Sequence, residues 1–89
     1  MQLMSNTKEL HNRFLKAFDA ANTMDDILIP IDLRLQFYAY YKQANFGNNF
    51  SFNSGINVRS GFKFNAWMQL KGMSADEAKR EYIKLANKF

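Results

Sequence analysis

Residues 30–45 read PIDLRLQFYAYYKQAN, a stretch that predicts one long helix with two different sides. Pro30 stands where the first turn of a helix tolerates proline, so we expect the helix to begin there and to run to about residue 45. Successive residues turn by about 100° around a helix, which separates an apolar stripe from an adjacent polar and aromatic face. The stripe consists of Leu33, Phe37, Tyr40 and Ala44, and the adjacent face of Arg34, Tyr38, Tyr41, Lys42 and Asn45. The helix therefore packs with one side and displays the other.

The displayed face carries two phenol rings and an ammonium group at helical spacing. Tyr41 and Lys42 follow Tyr38 by three and four residues along the helix, so the three side chains project together. An aromatic ring can stack on a flat heterocycle, and an ammonium group can neutralise a phosphate. The spacing fits equally well a pair of tyrosines at the edge of the core beside a solvated lysine. Both interpretations stay open at this point, and the first predicts a site for a nucleotide-like anion.

Apolar residues at helical spacing predict two further helices at the ends of the chain. The first covers about residues 7–22, and Asn6 with Glu9 has the spacing of a capping box. The last follows Ser74, whose hydroxyl we expect to cap it, with Glu77 three residues on. Each helix is expected to turn one apolar face toward a shared core. The two faces consist of Leu10, Phe14, Ala17, Phe18 and Ala21, and of Ala78, Tyr82, Leu85, Ala86 and Phe89.

The predicted third helix, about residues 58–71, differs because apolar side chains surround nearly its whole circumference. Such a helix is either deeply buried or shares its surface with an apolar ligand, and we expect Trp67 to lie in the core. Gly72 is expected to end the helix in the left-handed conformation. The apolar side chains are Phe62, Phe64, Ala66, Trp67, Met68 and Leu70.

Together the four patterns predict an all-α fold in a single domain that spans residues 1–89. No stretch alternates convincingly between apolar and polar residues as a strand does, and no internal repeat is present. A loop over about residues 46–57, rich in Asn, Ser and Gly, separates the second and third helices. A start at Met1 and a last helix that reaches Phe89 favour a domain that stands alone.

The net charge of +4 is unevenly distributed along the chain. Residues 33–75 contain five Lys or Arg and no Asp or Glu, which predicts a surface that faces something negative. The chain lacks Cys, which excludes a disulfide framework and a thiolate metal site. No apolar run is long enough for a bilayer, and residues 1–10 lack the order of a signal peptide. We therefore expect a cytoplasmic protein without stable membrane insertion.

Groups that could perform catalysis are poorly placed. His11 is the only histidine, and Glu9, two residues away, does not share its face of the helix. The sequence contains no Cys nucleophile, no Gly-rich phosphate loop and no metal-ligand spacing. It therefore predicts a non-enzymatic protein with no catalytic residues, no metal and no cofactor.

Several segments match one pattern in the right order and near the right spacing. They are YAYYKQA at residues 38–44, Gly47, Lys63 with Ala66-Trp67, Leu70-Lys71-Gly72, and Ser74 through Ala78 to Tyr82-Ile83. In these segments the chain, from about Phe14 onward, resembles the acyl-CoA-binding protein family. The resemblance implies a four-helix antiparallel bundle in up-down-down-up order. It also implies a carrier, expected as a monomer, that binds medium- to long-chain fatty acyl-CoA as a ligand, keeps it soluble and delivers it to enzymes.

The resemblance further implies a role for the matched residues around the nucleotide. Tyr41 would stack on the adenine ring, while Tyr38, Lys42 and Lys63 would hold the ribose 3′-phosphate. Tyr82 would close the other side of the nucleotide site. From spacing alone, Lys63 is more readily a surface lysine and Tyr82 a tyrosine at the edge of the core.

Leu35 and Ala17 would, by the same resemblance, contact the ligand near the pantetheine group or the acyl chain. Arg34 replaces an apolar residue that many family members have, and it would either add a positive charge to the site or narrow the acyl groove. Asn22 stands roughly where the family commonly has a lysine, so one phosphate contact is absent from the pattern.

A small basic helical module that binds nucleic acid or another protein is the alternative function. Aromatic rings beside cations also suit single-stranded nucleic acid. However, the middle of the chain has only five cations. We therefore expect long-chain fatty acyl-CoA, and not nucleic acid, as the partner.

Overall fold

Four helices build the fold: α1 (Leu3–Thr23), α2 (Ile31–Phe46), α3 (Val58–Met68) and α4 (Ala75–Ala86). The computed structural model describes residues 3–24, 29–49 and 58–88, and within these ranges it contains no strand. α4 packs against both α1 and α2, and α3 packs against α2. The prediction of an all-α, four-helix fold is therefore confirmed. The predicted cap at Asn6 is wrong, because α1 already begins at Leu3.

Local hydrogen bonds explain where α2 begins and ends. The Pro30 carbonyl accepts hydrogen bonds from the backbone N–H groups of Leu33 (3.1 Å) and Arg34 (3.0 Å). At the other end, the N–H of Gly47 donates to the Gln43 carbonyl at 3.0 Å. Gly47 has a φ of 58°, a left-handed conformation that costs glycine little because it lacks a Cβ atom. α2 thus extends one residue beyond its predicted end, to Phe46.

The junction between α3 and α4 follows the predicted chemistry with a shifted boundary. α3 ends at Met68, and turns continue from there to Gly72, whose φ is 93°. The Ser74 side chain then accepts a hydrogen bond from the Glu77 N–H at 3.0 Å and caps α4. The predicted Ser74 cap and the left-handed conformation of Gly72 are therefore confirmed. The prediction that Gly72 directly ends the third helix is wrong, because α3 stops at Met68, three residues before its predicted end.

An aromatic cluster forms the centre of the core. Phe14 of α1 and Tyr82 of α4 are 1% and 2% exposed, and their ring centroids lie 5.1 Å apart in an edge-to-face arrangement. The Phe37 ring of α2 contacts Tyr82 at the same centroid distance, 5.1 Å. Edge-to-face ring pairs contribute about 0.5–1.5 kcal/mol beyond their burial. Tyr82 therefore joins three of the four helices.

Gln43 connects α2 to α3 and to the turns that follow these two helices. Its side chain is completely buried, and its Oε1 accepts a hydrogen bond from the Trp67 Nε1 of α3 at 3.0 Å. Its Nε2 donates to the Met73 carbonyl at 2.9 Å and to Asn48 Oδ1 at 3.0 Å. Asn48 Oδ1 also accepts the Gly72 N–H at 2.9 Å. One amide therefore holds α2, α3 and the turn before α4 in fixed positions.

Replacing Gln43 with Leu should lower the free energy of unfolding by about 2–4 kcal/mol, because each buried polar group left without its partner costs about 1–3 kcal/mol. Urea unfolding measures the change. Gln36→Leu is the matched control, since Gln36 lies exposed on the same helix and should change stability by no more than about 0.5 kcal/mol. Equal losses in the two variants would contradict the role given to Gln43.

Candidate functional site

Two ammonium groups converge on the ring of Tyr38. Lys42 Nζ, from the same helix, lies 5.7 Å from the ring centroid, and Lys63 Nζ, from α3, lies 5.2 Å from it. Burial raises the pKa of the Tyr38 phenol above its ordinary value, so the group stays protonated at neutral pH and can donate a hydrogen bond. The sequence spacing alone favoured a solvated Lys63. The packing of α3 on α2 instead brings its ammonium group to the face of α2 that carries Tyr38.

Lys42 lies within an aromatic cage, defined here as the rings of Tyr38, Phe46 and Trp67. Its Nζ is 4.8 Å from the Phe46 centroid and 5.5 Å from the Trp67 centroid. Ammonium groups at such distances are attracted to the ring faces. Phe46 was not predicted as part of the site, because it was assigned to the loop after α2. Its position four residues after Lys42 was the available signal, since α2 includes it.

Tyr41 presents one face of its ring to α1. The Phe18 ring stacks on it with a centroid distance of 4.7 Å and an interplanar angle of 20°, and Phe14 lies 6.3 Å away at 24°. Tyr41 itself is half-buried. The Phe18 ring therefore supports the Tyr41 ring from the side of α1, and the exposed part of Tyr41 is where a flat group would have to stack.

Tyr82 belongs mainly to the core, as its spacing suggested. At 2% exposure it offers little surface to a ligand. Burial, and secondarily the neighbouring Tyr41, raises the pKa of its phenol to about 12. The phenol is therefore neutral throughout the physiological range, and the proposed contact with a ligand stays a prediction.

The other predicted residues lie on different parts of the surface. Ala17 is half-buried on α1 and packs against the core. Arg34 is exposed on α2, four residues before Tyr38 and on the same side of the helix. Asn22 carries no charge, and its side chain donates a hydrogen bond to the Phe18 carbonyl of its own helix at 2.9 Å.

Leu35 lines a groove of about 440 Å³ between α2 and α3. The same groove is lined by Ala39, Phe62, Ala66 and Leu70, which make much of its wall apolar. Phe62 is 60% exposed, so α3 is not deeply buried, and the expectation that it shares its surface with an apolar ligand stays open. Leu35 lies three residues before Tyr38 on α2, and Phe62 directly precedes Lys63 on α3. Tyr38, Lys42 and Lys63 are not among the residues that line the groove.

A larger groove, of about 680 Å³, lies between α1 and α4. Its lining mixes acidic Glu9, Glu77 and Glu81 with basic Arg13 and Arg80, and it contains none of the predicted site residues. In the described ranges, no group of three or more His, Asp or Glu side chains could hold a metal ion. Nor is any helix there both long and apolar enough to span a membrane.

Comparison with known proteins identifies the family. Residues 11–86 match the family described as Acyl CoA binding protein. The chain belongs to the acyl-CoA-binding protein family. It is 43% identical over 59 residues to the acyl-CoA-binding protein of Saccharomyces cerevisiae, covering 65% of this chain and 68% of the yeast protein. It is 37% identical over 76 residues to that of Gossypium hirsutum, covering 84% and 78%.

A solved structure of a family member confirms the fold type. The crystal structure of Oryza sativa Acyl-CoA-Binding Protein 2 superimposes with a TM-score of 0.80 at 31% identity, covering 89% of this chain and 88% of the rice chain. The predicted four-helix bundle of the acyl-CoA-binding protein type is therefore confirmed. The contacts between α2 and α3 show that these two helices run parallel, as the predicted up-down-down-up order requires. Tyr38 of α2 contacts Lys63 of α3, and Gln43, further along α2, contacts Trp67, further along α3.

The Tyr82 phenol should make stability fall at high pH. Its pKa is 10.0 as a free side chain and about 12 in the folded protein, so the neutral phenol stabilises the fold fully below pH 10. This contribution, about 2–3 kcal/mol, is lost as the pH rises from 10 to 12. Denaturant unfolding at several pH values measures it. Tyr82→Phe should flatten the decline over this window, and an equally steep decline in that variant would refute the assignment.

Proposed function

We propose that this chain is a carrier that binds medium- to long-chain fatty acyl-CoA esters and maintains an intracellular pool of them. One observation carries the proposal: the Lys42 and Lys63 ammonium groups both lie over the Tyr38 ring, and the same two helices, α2 and α3, enclose a largely apolar groove. A long-chain acyl-CoA has the matching pattern, with a phosphorylated nucleotide at one end and a hydrocarbon tail at the other.

At the nucleotide end, Lys42 and Lys63 neutralise the ribose 3′-phosphate while the Tyr38 phenol donates a hydrogen bond to it. Hydrogen bonds between charged groups are roughly twice as strong as neutral ones. The adenine stacks on the ring of Tyr41, a contact worth about 1–3 kcal/mol in comparable base–aromatic pairs. Arg34, exposed on the same side of α2, adds positive potential at the entrance. Tyr82 supports this end from the core side.

The acyl tail occupies the groove between α2 and α3, where Leu35 and Phe62 contact it. Burying a methylene group contributes about 0.8 kcal/mol, so the affinity increases with chain length until the groove is filled. Ala17, half-buried on α1, contacts the ligand near the pantetheine group or the acyl chain.

The carrier works without catalysis, as a cytoplasmic monomer whose ligand is acyl-CoA. Family membership supports a binding protein, because the family is defined by acyl-CoA binding. The alternative, a basic module for nucleic acid or a partner protein, has no support in the family match or in the relatives. No cofactor is part of the proposal.

Lys42→Met and Lys63→Met should each weaken palmitoyl-CoA binding by about 10- to 100-fold, the equivalent of losing one charged hydrogen bond. Titration calorimetry measures the affinity. Lys71→Met is the matched control, since it removes the same charge from an exposed position outside the site. A wild-type protein that binds no palmitoyl-CoA would refute the carrier function. Tight oligonucleotide binding that palmitoyl-CoA does not displace would favour the nucleic-acid alternative.

Leu35→Ser should reduce the gain in affinity with acyl length. The polar side chain removes apolar contact from the groove, so long-chain esters should lose affinity by roughly 5- to 50-fold while acetyl-CoA binding stays nearly unchanged. Leu15→Ser is the control, because Leu15 is exposed on α1 and is not part of the groove. An equal loss for short and long esters would show that the tail lies elsewhere.

A further inference from the structure

We propose that Phe46 is a positioning residue that holds the Lys42 ammonium group in place for a phosphate monoester. The inference rests on the proposed function, since the phosphate concerned is the ribose 3′-phosphate of acyl-CoA. It adds a residue that contacts neither the phosphate nor the adenine but controls the cation that binds the phosphate.

Phe46 provides the nearest ring of the cage. Its centroid lies 4.8 Å from Lys42 Nζ, compared with 5.5 Å for Trp67 and 5.7 Å for Tyr38. The Phe46 and Trp67 rings are tilted by 56°, with centroids 6.2 Å apart, so they form a corner around the ammonium group. Phe46 is 50% exposed, so its ring lies at the protein surface, where the Lys42 ammonium group is accessible to a ligand.

Hydrogen bonds hold the Trp67 ring and the backbone next to Phe46 in place. Trp67 is buried, and its Nε1 donates to both Gln43 Oε1 (3.0 Å) and the Gly47 carbonyl (3.1 Å). Gly47 follows Phe46 directly, and its N–H is bonded to the Gln43 carbonyl, so the end of α2 that carries Phe46 is fixed as well. The cage is therefore already formed before any ligand arrives.

A preformed cage changes what phosphate binding costs. A free lysine side chain samples many rotamers, and ordering it on binding opposes association. The rings instead hold Lys42 Nζ between Phe46, Trp67 and Tyr38, and Lys63 Nζ lies over the same Tyr38 ring. Two ammonium groups at one ring repel each other, and a dianionic phosphate that bridges them removes this repulsion. Ring faces contact only part of an ammonium group, so N–H donors remain for the phosphate.

The test compares palmitoyl-CoA with palmitoyl-dephospho-CoA, which lacks only the 3′-phosphate. Phe46→Leu keeps an apolar side chain but removes the ring face, and should weaken palmitoyl-CoA binding by about two- to fivefold. Binding of the dephospho thioester should be unchanged. Phe46→Trp should restore the affinity, because indole attracts cations more strongly than phenyl does.

Two further measurements separate positioning from a structural effect. In a Lys42→Met background, Phe46→Leu should cause no additional loss, because the cation it holds is gone. In the ligand-free protein, the Lys42 ε-methylene protons should show a ring-current shift by NMR that Phe46→Leu reduces. Loss of affinity for both thioesters, or a loss that persists beside Lys42→Met, would overturn the positioning role. Wild-type protein that binds neither thioester would instead overturn the proposed function on which this inference rests.

Discussion

The buried amide of Gln43 is the constraint on which the site depends. Among the described residues, Gln43 is the polar residue that is fully buried, and both its side-chain oxygen and its side-chain nitrogen form hydrogen bonds. A buried amide without partners costs about 1–3 kcal/mol, so α3 and the turn before α4 can occupy only positions that satisfy it. The adjacent residue, Lys42, points to the Trp67 ring that Gln43 orients. Stability and ligand recognition thus arise from consecutive residues of α2.

Much of the fold could be predicted because its signals are local. The periodicity of residues 30–45, the Ser74 cap and the left-handed Gly72 are each determined within a few residues, and the structure confirms them. Helix ends were harder to predict. α3 stops at Met68 although helical periodicity continues, because turns lead the chain to the Asn48 and Gln43 hydrogen bonds. These partners lie more than twenty residues away, beyond any local pattern.

The site residues also differ in whether the local sequence could predict them. Tyr38, Tyr41 and Lys42 lie on one helix, so their common face followed from spacing. Lys63 reaches Tyr38 only through the packing of α3 on α2, and spacing therefore favoured solvent for it. The family resemblance supplied what periodicity could not. Neither indicated Phe46, since the Asn- and Gly-rich sequence after it suggested a loop that had already begun.

The open groove follows from the way α3 is attached. In the described part of the chain α3 packs against α2 and against neither α1 nor α4. Phe62, which lines the groove, is consequently 60% exposed. Burying apolar surface stabilises a protein by about 25 cal/mol per Å², and exposed apolar side chains lack this stabilisation. A hydrocarbon tail in the groove would supply it by covering them. On the proposed function, the ligand therefore completes the apolar layer over α3, and binding should stabilise this helix more than any other.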